Sequence, residues 1–195
     1  MKLRELKTED APRMLAWMHD VDVVRYMGKD FCNMTIDDCM SFIDKSQNKE
    51  RDIHLAVADE RDAYHGTVSL KYITEGASEF AIVIDKDGQG TGLAQYAMKE
   101  IMRIGFEERK LDMIYWNVLP DNRRAVSFYD KEYERVDIMK KSKLLRLCRG
   151  GVPKGENRRI HLVLSDFSGS REEEKVSNKH LEQHFFLKER GVLHE

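Results

Sequence analysis

Between Glu79 and Glu108 the chain reads EFAIVIDKDGQGTGLAQYAMKEIMRIGFEE, and its hydrophobic period changes partway. Ile82, Val83 and Ile84 form a short apolar run, which suits a buried strand. Beyond it Leu93, Ala97, Ile101 and Ile104 recur at three- and four-residue steps, which predicts a helix with one buried face. Gly88, Gly90 and Gly92 therefore stand where a strand turns into a helix. Each glycine costs backbone entropy, so their crowding at this point needs a reason. The first turn of a helix carries amide N–H groups without intrahelical partners, and it is the positive end of the helix dipole. Removing side chains there opens the backbone to an anion such as a phosphate. A glycine-rich turn with no ligand is the competing explanation.

The spacing separates the known phosphate loops. No Gly-Lys-Ser/Thr triplet follows, so the P-loop pattern fails. The dinucleotide pattern G-x-G-x-x-G/A fails as well, because its sixth position is Leu93 counted from Gly88 and Gln95 counted from Gly90. Gln89, Gly92 and Ala94 fit Gln/Arg-x-x-Gly-x-Gly/Ala without a gap. About 30 residues later, the distance that one helix and one strand require, Val118, Asn122, Ala125 and Tyr129 fit V-x-x-x-N-x-x-A-x-x-x-Y.

These two motifs, in this order, resemble those of the GNAT superfamily of N-acetyltransferases. The opening stretch LRELKTEDAPRMLAWMHDVDVVRYM looks like the branch that holds ribosomal-protein N-terminal, spermidine and amino-sugar acetyltransferases. The resemblance covers about residues 1–166. One departure stands out: the Gly-Phe pair that usually follows the second helix is replaced by YDKEYERV, where Tyr133 takes the place of the Phe.

The resemblance implies an α/β (α+β) fold with a mixed, mostly antiparallel central sheet, splayed parallel central strands and flanking helices. It implies acetyl-CoA as co-substrate, with the pantetheine arm on the edge of the strand holding Ile82, Val83 and Ile84, and the pyrophosphate on the N–H groups of Gln89, Gly90, Thr91, Gly92, Leu93 and Ala94. Asn122 would hold the cofactor or the strand end through its amide. Tyr129 occupies the family's position for the acid that protonates the departing thiolate; a phenol with a pKa of about 10 suits that role.

The remaining services come from chemistry. An alkylammonium with a pKa of about 10 cannot attack until it loses a proton. Glu79, at the mouth end of the cofactor strand, is the expected base through a water, and Glu75 competes for the role. His54 and His65 read as packed or surface residues. His180 and His184, spaced i,i+4, lack a convincing third ligand, so no metal is expected.

Composition narrows the alternatives. In 195 residues, 33 Lys and Arg face 35 Asp and Glu, a net charge of −2, which gives no general pull toward nucleic acid or membrane. No apolar run is long enough to span a bilayer, and MKLRELKTED has no signal-peptide core. Three cysteines, Cys32, Cys39 and Cys148, without C-x-x-C spacing point to a reducing cytoplasm. A domain over residues 1–167 is expected, then a charged extension over 168–195 ending in an amphipathic helix. Its Phe185 and the exposed strand edges point to a homodimer.

The acceptor clues conflict. Residues 140–159 are rich in Lys and Arg, which suits an anionic acceptor, whereas Asp20, Asp22, Asp30, Asp37 and Asp38 suit a polyamine or a cationic peptide. The opening stretch tips the expectation toward a protein N-terminus or a small primary amine. A non-catalytic acyl-CoA-binding regulatory module is the alternative, and the presence of Tyr129 speaks against it.

The helix and strand signals complete the reading. Thr8 is expected to cap a first helix with a stripe of Ala11, Met14, Leu15 and Met18, and Thr35 a later one with Ile36, Cys39, Met40 and Ile43 inward. MKLREL, DIHLAVAD, HGTVSLKY, EFAIVID, KLDMIYWNV, ERVDIMK and RRIHLVLS read as strands, and Asn122 to Lys131 as a short helix.

Overall fold

A computed structural model of the chain describes residues 1–74, 76–119, 121–132 and 159–164. The chain divides into two compact units: residues 1–71 with 80–104, and residues 72–79 with 105–195.

The first unit opens with β1 (Lys2–Glu5), a 3-10 turn (Thr8–Asp10) and α1 (Ala11–Met18). Thr8 does not cap this helix. Asp10 closes the turn instead, its Oδ2 accepting the Lys7 N–H at 2.9 Å, because a 3-10 turn precedes α1 and shifts the cap by two residues. A short α2 (Val21–Val24) and α3 (Ile36–Lys45) follow. α3 has the expected capping box: Asp38 N–H donates to Thr35 Oγ1 at 3.3 Å, and Thr35 N–H to Asp38 Oδ2 at 2.8 Å. Its inward stripe is Cys39 and Ile43 with Phe42 beside them, while Ile36 and Met40 are exposed. The helix is rotated from the expected stripe so that Phe42, the largest apolar group on it, reaches cover.

β2 (Ile53–Ala58) pairs antiparallel with β1 and with β3 (Tyr64–Lys71), the latter with a bulge at Val57/Ala58. Ala56 and Tyr64 join Met14, Trp17, Met18, Phe31, Cys39 and Ile43 in a core beneath α1 and α3. Within it Trp17 Nε1–H donates to Tyr64 Oη at 3.0 Å, and that hydroxyl meets Thr67 Oγ1 at 2.8 Å, so the buried polar ends are satisfied. The alternate residues, Ile53, Leu55, Val57, Val68 and Leu70, are also buried and face the side on which α4 (Leu93–Arg103) packs with Leu93, Ala97, Met98, Ile101 and Met102. α4 runs on as a π-helical turn, Ile104–Glu108.

β4 (Ala77–Ile84) starts in the second unit and ends in the first. In the second unit it pairs in parallel with β5 (Met113–Val118) at Ala77↔Met113, Ser78↔Ile114 and Glu79↔Tyr115. β5 is buried on both faces, as expected for a central strand, and pairs antiparallel with β6 (Arg159–Leu164). α5 (Arg123–Glu132) follows β5. Hydrogen-bonded neighbours thus run β1-β2-β3-β4 and β4-β5-β6, a mixed sheet in which β4 and β5 are parallel. The ERVDIMK strand and the 168–195 extension lie outside the described residues.

Candidate functional site

The loop from Asp85 to Gly92 folds its polar side chains back onto its own backbone. Asp85 Oδ1 accepts the Gly88 N–H at 2.8 Å, Gln89 Nε2 donates to the Ile84 carbonyl at 3.0 Å, and Thr91 Oγ1 donates to the Gly88 carbonyl at 2.7 Å. The Gln89 N–H turns inward to the Lys86 carbonyl at 3.3 Å. Gly90 and Gly92 have φ of 78° and 90°, the left-handed region that favours glycine, and Gly92 is the N-cap of α4 with no side chain capping it. A β-carbon on Gly90 would meet nothing within 4 Å, so the backbone there is open.

The first intrahelical bond is Tyr96 N–H to the Gly92 carbonyl at 3.0 Å, so the amides of Leu93, Ala94 and Gln95 have no acceptor within the helix. A cluster of backbone donors at the positive end of an eleven-residue helix, next to side-chain-free ground, can take an anion.

β4 leads into this loop. Ala77, Ser78, Phe80 and Ile84 are buried, but Ala81, Ile82 and Val83 are only half-buried. Three successive residues cover both faces of a strand, so the open stretch is the strand itself, just before the loop. Glu79, half-buried, sits where β4 registers with Tyr115.

In the second unit, Asn122 caps α5, its Oδ1 accepting the Ala125 N–H at 3.2 Å. That bond uses the carbonyl end of the side chain. Tyr129, on the same helix, is buried, with its ring 5.1 Å from Trp116 and 5.2 Å from Phe128 between centroids. These tilted and edge-on contacts hold the Tyr129 ring in place.

His54 and His65 both have side-chain partners. His54 contacts Ser69 Oγ at 2.8 Å and the Phe42 ring at 4.9 Å, and burial lowers its pKa. His65 Nδ1 lies 3.0 Å from Asp85 Oδ1. Of the acidic residues noted as cation holders, Asp20 and Asp22 are already met by Lys86 Nζ, at 2.8 and 3.1 Å, which holds both carboxyls below the usual range. Asp38 serves the α3 cap, and Asp30 accepts the Cys32 N–H at 2.9 Å. Sequence reasoning missed Asp85. The D-x-x-G spacing of a side-chain-to-backbone turn was the available signal. Glu75, Tyr133, His180, His184, Phe185 and the basic loop up to residue 158 lie outside the described residues. Among the described residues no group of three His, Cys, Asp or Glu is placed to hold a metal, and no helix is long and apolar enough to cross a membrane.

Comparison with known proteins gives the family and the fold. The family profile of an acetyltransferase (GNAT) domain matches residues 1–131. The acetyltransferase PseH of Campylobacter jejuni is 24% identical over 130 residues, covering 66% of this chain and 79% of PseH. A Vibrio cholerae spermidine N-acetyltransferase, solved in complex with CoA and spermine, superposes with a TM-score of 0.61 at 23% identity, over 67% of this chain and 78% of that one. A GNAT-family acetyltransferase from Bacillus anthracis gives a TM-score of 0.64 at 18% identity, over 83% and 93% of the two chains.

Proposed function

The chain belongs to the acetyltransferase (GNAT) family, and on that premise we propose that it moves an acetyl group from acetyl-CoA to a primary amine, by direct attack within a ternary complex. The observation that carries this reading is the set of backbone amides of Leu93, Ala94 and Gln95, which have no acceptor within α4, beside Gly90, where a β-carbon would meet nothing within 4 Å. In this assignment Gly90, Thr91, Gly92, Leu93 and Ala94 receive the pyrophosphate, and Gln89 braces the loop through its bond to Ile84. The half-buried run Ala81 to Val83 offers the backbone of Ile82 to the amides of the pantetheine arm, as an added strand would use it, while the Ile84 carbonyl is already held by Gln89. Asn122 holds the start of α5, the helix that carries Tyr129.

Glu79 removes the ammonium proton through a water, and the freed amine nitrogen adds to the thioester carbonyl carbon. A backbone N–H of β4 stabilises the oxyanion. As the C–S bond breaks, the electron pair leaves on sulfur and the Tyr129 hydroxyl supplies the proton that neutralises it; the attacking nitrogen gives up its second proton to solvent, from which the Tyr129 phenolate is reprotonated.

The acceptor proposed is a protein N-terminus or a small amine such as a polyamine or an amino sugar. The spermidine N-acetyltransferase with bound spermine is the support for a polyamine within this range, and the opening stretch is the support for the rest. A homodimer in the cytoplasm is the proposed setting. Its support is the sequence of the extension and the free thiols of Cys32 and Cys39; light scattering that reports only a 22.9 kDa species counts against the dimer.

The test is thiol release from acetyl-CoA across a panel of peptides, polyamines and amino sugars. Release with at least one amine, matched by its acetylated product, supports the reading. Tight CoA binding with no release from any amine would show a non-catalytic acyl-CoA-binding module instead.

A further inference from the structure

Asp85 is an odd residue to find beneath an anion site. Its side chain is buried, with 9% of the residue exposed, and it lies at the head of the loop that the preceding reading assigns to a pyrophosphate. A buried carboxylate is costly unless it is paired, and an unpaired one would repel a phosphate. This one is paired from several directions. Oδ1 accepts the Gly88 N–H at 2.8 Å and lies 3.0 Å from His65 Nδ1 on β3; Oδ2 accepts from Arg13 Nη2 on α1 at 2.9 Å. Arg13 also reaches Asp87 Oδ2 at 3.2 Å, and His65 Nε2 lies 3.6 Å from Asp59 Oδ2.

Two elements distant in sequence thus converge on one carboxylate, and its bond into the loop fixes the Gly88 amide in the turn that leads to the helix start. The fit is close on every side. A β-carbon on Gly88 would lie 2.9 Å from Ile84 Cγ2, 3.0 Å from His65 Cβ and 3.1 Å from Asp85 Oδ1. The turn is therefore moulded against this pair, and Arg13 offsets the charge that would otherwise oppose the ligand.

We propose that Asp85 is a positioning residue for the pyrophosphate: clamped by Arg13 and His65, its carboxylate sets the Gly88 turn so that the amides from Gly90 to Gln95 face the ligand. This rests on the pyrophosphate reading of the loop. Position and charge make opposite predictions here. If charge alone mattered, removing Asp85 would strengthen anion binding. If position matters, removing the acceptor weakens it, and an uncharged acceptor of the same shape restores it.

Calorimetry with CoA and with pantetheine, which carries no phosphate, separates these outcomes. Asp85→Ala is expected to raise the Kd for CoA by about tenfold or more, equivalent to about 1.4 kcal/mol. Asp85→Asn keeps an oxygen for Gly88 and is expected to stay within about threefold of the parent, and pantetheine affinity is expected to hold in both. If Asp85→Ala does not fold, Asp85→Leu, which fills the same space without an acceptor, takes its place and should show the same loss for CoA alone. The proposal is overturned by unchanged or tighter CoA binding in Asp85→Ala (or in Asp85→Leu in its place), by equal losses for both ligands, or by Asp85→Asn failing as badly as Asp85→Ala. A parent protein that binds CoA no more tightly than pantetheine would instead overturn the pyrophosphate reading itself, and the positioning role with it.

Discussion

Gly66 on β3 faces the Val83 carbonyl of β4 so closely that a β-carbon there would lie 2.0 Å from the oxygen. Val83 lies in the half-buried run of β4 just before the glycine loop, so this close approach helps to set where the strand delivers its backbone. Gly66→Ala must push the strands apart or distort both. It is expected to destabilise the fold by about 1–3 kcal/mol, as overpacking does, read as a lower urea midpoint at unchanged slope.

Gly92→Val tests the loop from the ligand side. At φ 90° a branched side chain is strained, and it adds bulk beside the open amides. Affinity for acetyl-CoA is expected to fall more than about tenfold. Unchanged affinity by calorimetry, in a variant that circular dichroism shows to be folded, would remove the phosphate assignment.

Tyr129→Phe keeps the ring against Trp116 and Phe128 and removes only the hydroxyl. Loss of a general acid costs about 10²–10⁴ in rate, whereas loss of one neutral hydrogen bond costs about 0.5–1.5 kcal/mol in binding. The expected result is a collapse of kcat with acetyl-CoA affinity held within about tenfold. Turnover at the parent rate on an accepted amine would pass the proton to Tyr133 or to a water.

Glu79→Gln removes the proposed base without changing size. Activity is expected to fall near neutral pH and to recover in part at high pH, where free amine is abundant. A pH–rate profile identical to the parent would assign deprotonation to Glu75 or to solvent.

His54 gives a stability prediction. Burial, against the raising influence of Asp52 and with a further lowering from Lys71, holds its pKa below the ordinary 6.5, so the folded state favours the neutral ring. Above pH 6.5 the ring is neutral folded or unfolded, and its contribution is complete. As the pH falls below 6.5, the unfolded chain binds the proton first and stability declines until the folded ring titrates too. Urea midpoints should drop from about pH 7.5 to about pH 5.5, and His54→Gln should show a smaller drop. Equal drops in parent and variant would place the pH dependence on other groups.

Local signals determined much of this protein. The change of period around Gly88 to Gly92 marked β4, the loop and α4, and the motif from Val118 to Tyr129 marked β5 and α5, because neighbours in sequence form those patterns. The Thr35 and Asp38 capping box was legible for the same reason. Tertiary packing decided what depends on distant residues. The inward face of α3 turned to cover Phe42, leaving Ile36 and Met40 exposed, because the sheet beneath and not the helix period alone selects the buried stripe. Asp20 and Asp22, which by sequence suit a cationic acceptor, are met by Lys86, some 65 positions away. The clamp on Asp85 needs Arg13 and His65, which no local spacing connects to it. The sequence determined by itself where a glycine-rich helix start would form. Only the tertiary structure decided what holds that loop in shape, since a buried carboxylate finds its partners through space and not along the chain.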